Sequence, residues 1–177
     1  MNQKKRMSMI YMNGEFRMCD AFIRPNANRN QSEKENDQQD RFFFLSAVSR
    51  LRGSDYIRDA YWNGKEAVVR FENIDHVAPD YLDDYDHYFG SKMKIGKLLL
   101  DNLVYLFKEL HYISILKIVV PFQNNELVVH IHRKQLERYL KTDFSYFKNV
   151  HRCQFHYYFQ EREIRRFVHR YVNLVYK

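Results

Sequence analysis

Three observations predict an α+β fold built as a split β-α-β sandwich, with an N-terminal β-hairpin and helix and an added C-terminal amphipathic helix. Strand-like runs and helix-like runs succeed one another as β-α-β-β-α-β-α from the KEAVVRFENI strand onward. Two Asn-Gly pairs, Asn13-Gly14 and Asn63-Gly64, each sit between strand-like runs, where the pair favours a tight hairpin turn. The last segment separates apolar from basic residues at the helical period.

Taken in order, SMIYMNGEFRMCDAFI predicts the first hairpin. Residues 24–40, RPNANRNQSEKENDQQD, have no hydrophobic period and are expected to be a mobile polar loop. RFFFLSAVSRLR places Phe44, Ala47, Val48 and Leu51 on one stripe, predicting a helix over 41–52 that Gly53 stops. The second hairpin follows, with a type I′ turn expected at Asn63-Gly64. Residues 75–91 read as an acidic, Tyr-rich connector. A helix is expected from Lys94 to Tyr112, with Leu99, Leu103, Leu106, Phe107 and Leu110 on one face. ILKIVVPF and ELVVHIHR predict two strands, KQLERYLK a short helix, and HRCQFHYYFQ, which alternates strictly, a last strand. The final helix is expected over 161–176. The order is that of a ferredoxin-like sandwich, and the 177 residues are expected to form a single α+β domain.

Composition narrows the functional classes. Hydrophobic residues make up 45% and aromatics 16%, enough buried ring area to drive folding. Cys19 and Cys153 stand far apart, with no Cys-x-x-Cys pair, which argues against a disulfide framework or a structural zinc site. No apolar run reaches the ~18 residues of a membrane helix, and no apolar signal core follows the basic start. The expectation is no cofactor, no membrane partner and a cytoplasmic location, or a nuclear one in a eukaryotic or viral source. The net charge of +7 is uneven: residues 71–91 hold six Asp and Glu and no Lys or Arg, and residues 92–177 hold 16 Lys and Arg against seven Asp and Glu. A basic half of this kind suits a polyanion, nucleic acid first.

Two surfaces are candidates to carry that contact. On the last helix Arg162, Arg165, Arg166, His169 and Arg170 share one arc, opposite Ile164, Phe167, Val168, Tyr171, Leu174 and Val175. Guanidinium groups at this spacing can meet successive phosphates. Lys92, Lys94 and Lys97 crowd the start of another helix, where like charge opposes the helix dipole and hints at an anion. The second surface is an open sheet face carrying Arg70, His130, His132, Arg152, His156 and Tyr158, a mix of basic and stacking groups such as single-strand RNA binders use.

His130, His132 and His156 also form a candidate metal set, because alternate residues of a strand point the same way. His130-Ile131-His132 followed by a helix bearing Tyr171 resembles the HUH class of nucleases. That resemblance implies a divalent metal on the histidines and a tyrosine attacking single-stranded DNA. Val175 stands four residues after Tyr171, where transposase relatives carry Gln. The run Gly90 to Lys97 departs from a phosphate loop: its glycines are one residue too far apart, and Leu98 replaces the Ser or Thr that holds Mg²⁺. The leading expectation is a non-catalytic nucleic-acid-binding protein. The alternatives are a protein-interaction module (adaptor, inhibitor or immunity-type protein), whose Tyr- and Arg-rich surface suits interface hot spots, and the HUH-type nuclease.

Overall fold

The computed structural model describes residues 8–12, 15–19, 31–64, 66–144 and 159–176. Five helices and seven strands lie within them. The strands are β1 (Ser8–Met12), β2 (Glu15–Cys19), β3 (Ile57–Trp62), β4 (Glu66–Phe71), β5 (Ile115–Phe122), β6 (Asn125–His132) and β7 (Val172–Tyr176). The helices are α1 (Gln31–Val48), α2 (Leu82–Phe89), α3 (Lys92–Glu109), α4 (Arg133–Leu140) and α5 (Glu161–Tyr171). No described helix is long and apolar enough to cross a membrane.

β1 and β2 pair as the expected N-terminal hairpin, and β1 lies beside β3. The main sheet has the order β3-β4-β5-β6-β7. All its neighbours are antiparallel except β4 and β5, which run parallel with Val69 opposite Ile118. This corrects the split β-α-β expectation. A split, ferredoxin-like sheet holds another strand between the two that its first helix connects, whereas here β4 and β5 pair directly. The reason lies in the apolar runs. Ala67, Val68 and Val69 of β4 and Ile118, Val119 and Val120 of β5 are all buried, so both strands are covered on both faces and belong at the centre. The expected strand over HRCQFHYYFQ falls almost wholly outside the described residues.

The core is α3 laid on one face of this sheet. Ile95, Leu99, Leu103, Leu106 and Phe107 have no exposed surface, nor do Leu116, Ile118, Val129 and Ile131 below them. Burial of this many branched and aromatic side chains, at about 1.5–3 kcal/mol each, is the main stabilising term. α1 packs Phe44, Ala47 and Val48 into the same core, and Leu51 follows. Its end is pinned to α3 by the fully buried Asn102, whose Oδ1 accepts from the Arg52 N–H at 2.9 Å and whose Nδ2 donates to the Arg52 carbonyl at 3.1 Å. Arg52 Nη1 meets Asp101 Oδ2 at 2.7 Å alongside.

Four further expectations change. The polar loop placed at 24–40 overlaps α1, which already starts at Gln31; residues 24–30 lie outside the described residues. The helix propensity of its Gln, Glu and Lys residues extends the stripe backward without an apolar face. The acidic connector is helical: two 3-10 turns lead into α2, whose Tyr85 and Phe89 are buried against Tyr56 and Phe71. The second hairpin turns one residue later than Asn63-Gly64. Asn63 N–H bonds to the Glu66 carbonyl at 3.1 Å, and Gly64 holds φ +100°, a left-handed value that glycine adopts freely. Finally, the last helix stops at Tyr171. Val172 is extended, and residues 172–176 become β7, paired to β6 with Leu174 opposite Leu127. β-branched Val172 and Val175 and the poor helix former Asn173 favour the strand once an edge is at hand.

Candidate nucleic-acid interface

α5 is amphipathic by construction. Glu161 and Glu163 in its first turn and His169 and Arg170 in its last complement the helix dipole. Ile164 and Phe167 are buried, so the helix can dock in one rotation only. The tightest contact is with α3 at Gly96: a Cβ built there meets Val168 Cγ2 at 2.3 Å and Ile164 Cγ2 at 3.2 Å. α4 holds the other flank, where Tyr139 Oη donates to the Glu163 carbonyl at 2.6 Å and the Tyr139 ring packs on Phe167 and Tyr171.

That docking leaves Arg162, Arg165, Arg166, His169 and Arg170 exposed. Arg165 is held by Glu161 one turn earlier, an exposed pair worth about 0.3–0.5 kcal/mol. Arg162, Arg166 and Arg170 enter no ion pair among the described residues. Among the described residues these three guanidinium groups therefore form a ridge along the helix with no carboxylate partner.

The lysines at the start of α3 divide. Lys94 Nζ donates to the Asp86 carbonyl at 2.9 Å and meets its carboxylate at 3.1 Å, so it neutralises the C-terminal end of α2. Its place at the head of α3 is explained by the helix that ends there, not by an anion. Lys97 is half-buried, and Lys92 is exposed. Lys92 joins Arg165 and His169 at the rim of a cleft of about 350 Å³ between α3, α5 and the β6-β7 edge, floored by Leu127, Val168 and Leu174. Sequence reasoning placed these cations on separate elements and missed the cleft, because only the α3-α5 crossing at Gly96 brings them together. A larger depression at the end of α4 holds Glu137 and Asp143 beside Lys134, Arg138 and Lys141, so it presents both signs of charge.

The second predicted surface is only partly present. Leu127, Val129 and Ile131 face the helices, and Val128, His130 and His132 the other side, as the alternation requires. His130 and His132 are exposed. However, Val68 and Val119 share their face and are 2% and 5% exposed, so the middle of that face is covered rather than open. Arg70 is half-buried. Arg152, His156 and Tyr158 lie outside the described residues.

His130 Nε2 lies 3.3 Å from Glu66 Oε1, and the His132 N–H donates to Gln135 Oε1 at 2.9 Å at the start of α4. Among the described residues no three His, Cys, Asp or Glu side chains are grouped to hold a metal ion. Tyr171 is half-buried against Tyr139 and Phe167, with the Arg170 guanidinium 5.4 Å from its ring centre. The chain matches no family model, no curated protein and no solved structure.

Proposed function

We propose that this protein binds nucleic acid without catalysis, through the basic face of α5. One observation carries the reading: a helix whose buried side fixes its rotation presents Arg162, Arg166 and Arg170 outward with no carboxylate partner among the described residues. Each is about one turn from the next, and guanidinium forks match phosphate oxygens. The test is binding of a labelled oligonucleotide across a salt series. Changing all three arginines to Ala lowers the slope of log K against log salt by about three and weakens binding uniformly across sequences. No binding by micromolar protein at about 50 mM salt removes the proposal.

A second reading, a protein-interaction module, is favoured by a different observation. β7 lies at the edge of the described sheet, with Val175 44% and Tyr176 77% exposed. Exposed aromatic edge strands accept a partner's strand. Co-purification of one stoichiometric protein partner, free of nucleic acid, supports this reading over the first.

A further inference from the structure

We infer that the cleft between the start of α3 and α5 seats one unpaired nucleotide, so that the protein prefers single strands to duplex. This inference rests on the nucleic-acid reading above and specifies the form of its ligand.

The chemistry of the cleft is two-sided. Its rim carries Lys92, His169 and Arg165, the last in an exposed pair with Glu161 that a phosphate can replace, and no carboxylate among the described residues lines it. The N-terminus of the 18-residue α3 adds its dipole to the same sign; its first turn holds no acidic residue, and the Asp86 carboxylate nearby is taken up by Lys94. An anion is therefore the ligand at the rim. The floor is aliphatic, formed by Leu127, Val168 and Leu174. A bare phosphate leaves that floor wet, so the occupant needs a flat or compact apolar body beside its negative charge. A nucleotide has both: the base covers the floor, and the phosphate meets the rim. At about 350 Å³ the space lies at the lower end of small-ligand pockets, about 300–1,000 Å³, and takes one such unit.

The neighbourhood continues the same ligand. Arg162, Arg166 and Arg170 run along the helix that supplies Arg165 and His169, in position to follow the adjoining phosphates. A duplex reaches this ridge, yet its bases are stacked and paired. Placing one of them in the cleft requires unpairing, unstacking and flipping it out, and a single strand has little of this to overcome. The ridge therefore serves both forms, and the cleft distinguishes them.

The experiment compares a labelled single strand of about a dozen nucleotides, within the site size of such grooves, with a blunt duplex of the same length, using the full chain. The single strand is expected to bind about tenfold tighter or better, as a flipping penalty above 1.4 kcal/mol requires. Met93 lines the cleft with Leu174, and Met93→Trp and Leu174→Trp each fill it; both are expected to remove the preference while the salt-dependent binding common to both ligands stays. Thermal unfolding of each variant shows that it is folded, and Met93→Trp, at a half-buried position in the first turn of α3, serves where Leu174→Trp is not. Equal binding of both forms by the wild type, or a preference that survives a filled cleft, overturns the nucleotide site and leaves the ridge proposal intact. Loss of all binding in the wild type overturns both.

Discussion

Arg133 Nη1 donates to the carbonyl oxygen of Phe107 at 2.6 Å, where α3 ends beneath the start of α4. Its Nη2 reaches the Leu110 carbonyl at 2.7 Å and its Nε the Ile113 carbonyl at 3.1 Å. One guanidinium thus donates to two carbonyls at the negative end of the α3 dipole and to that of Ile113 in the connection beyond, and the Phe107 and Phe144 rings cover it at 4.9 and 5.3 Å. Arg133→Met leaves the three carbonyls without this donor and is expected to destabilise by about 3 kcal/mol in urea denaturation. Arg133→Lys keeps the charge but not the fork, and recovers less than half of the loss. A Met variant within about 0.5 kcal/mol of the wild type contradicts this capping role.

Arg133 also shows where the sequence is silent. It lies in a basic run, RKQLERYLK, and nothing in its spacing separates it from Arg138, which is exposed. Only the return of β6 to the end of α3 makes it structural. By contrast, Phe44, Ala47, Val48 and Leu51 were legible as one stripe, because helical periodicity is a local property. Part of the strand order is in the sequence too: Ala67-Val68-Val69 and Ile118-Val119-Val120 do not alternate, and these two apolar stretches are the ones that pair in parallel. The end of α5 was hidden, since HRYVNLVY keeps an apolar face under either period until the edge of β6 claims it. At the candidate site the arginine arc could be seen in advance; the cleft could not, because Lys92 and Arg165 are 73 positions apart in the chain.

The tyrosines predict an alkaline limit to stability. Burial pushes the Tyr85 phenol up to about 12, aided by the nearby charge of Glu72. Tyr56, Tyr112 and Tyr139 are also raised, each chiefly by burial, with a hydrogen bond to Asp84 adding to the effect at Tyr56. A raised phenol means that the folded chain holds a proton which the unfolded chain releases near pH 10. The stabilisation is therefore complete below about pH 10 and lost as pH climbs toward about 12. Urea midpoints taken at rising pH should fall across this window. Tyr85→Phe, which keeps the ring packing, should flatten the fall. Midpoints that hold steady to pH 12 contradict the assignment.

The α3-α5 crossing depends on the absence of one methyl group. Gly96→Ala gains up to about 1 kcal/mol of helix propensity, but the new Cβ meets Val168 Cγ2 at 2.3 Å, and a valine in a helix has little rotamer freedom to yield. Overpacking costs about 1–3 kcal/mol, so the net change is expected to be destabilising. Removing the opposing methyls with Val168→Ala should make Gly96→Ala harmless or favourable. The double-mutant cycle reads this coupling directly, and additive effects contradict close contact at the crossing.

The end of α4 offers a stabilising change. Lys141 holds φ 55° and ψ 32°, the left-handed conformation that ends a helix, and its N–H bonds to the Glu137 carbonyl. Thr142 N–H reaches the same carbonyl at 3.2 Å, so the turn is held from both sides. A side chain bearing a Cβ suffers about 1–2 kcal/mol of strain in this conformation, and glycine none. Glycine loses more backbone entropy on folding, by about 0.5–1 kcal/mol, which offsets part of the relief. Lys141→Gly is therefore expected to stabilise by about 0.5–1 kcal/mol, read as a higher urea midpoint at unchanged slope. Because Lys141 lines the mixed-charge depression and not the α3-α5 cleft, the same variant should leave oligonucleotide affinity unchanged. A fall in affinity equal to that of Arg166→Ala shifts the contact surface from α5 to α4.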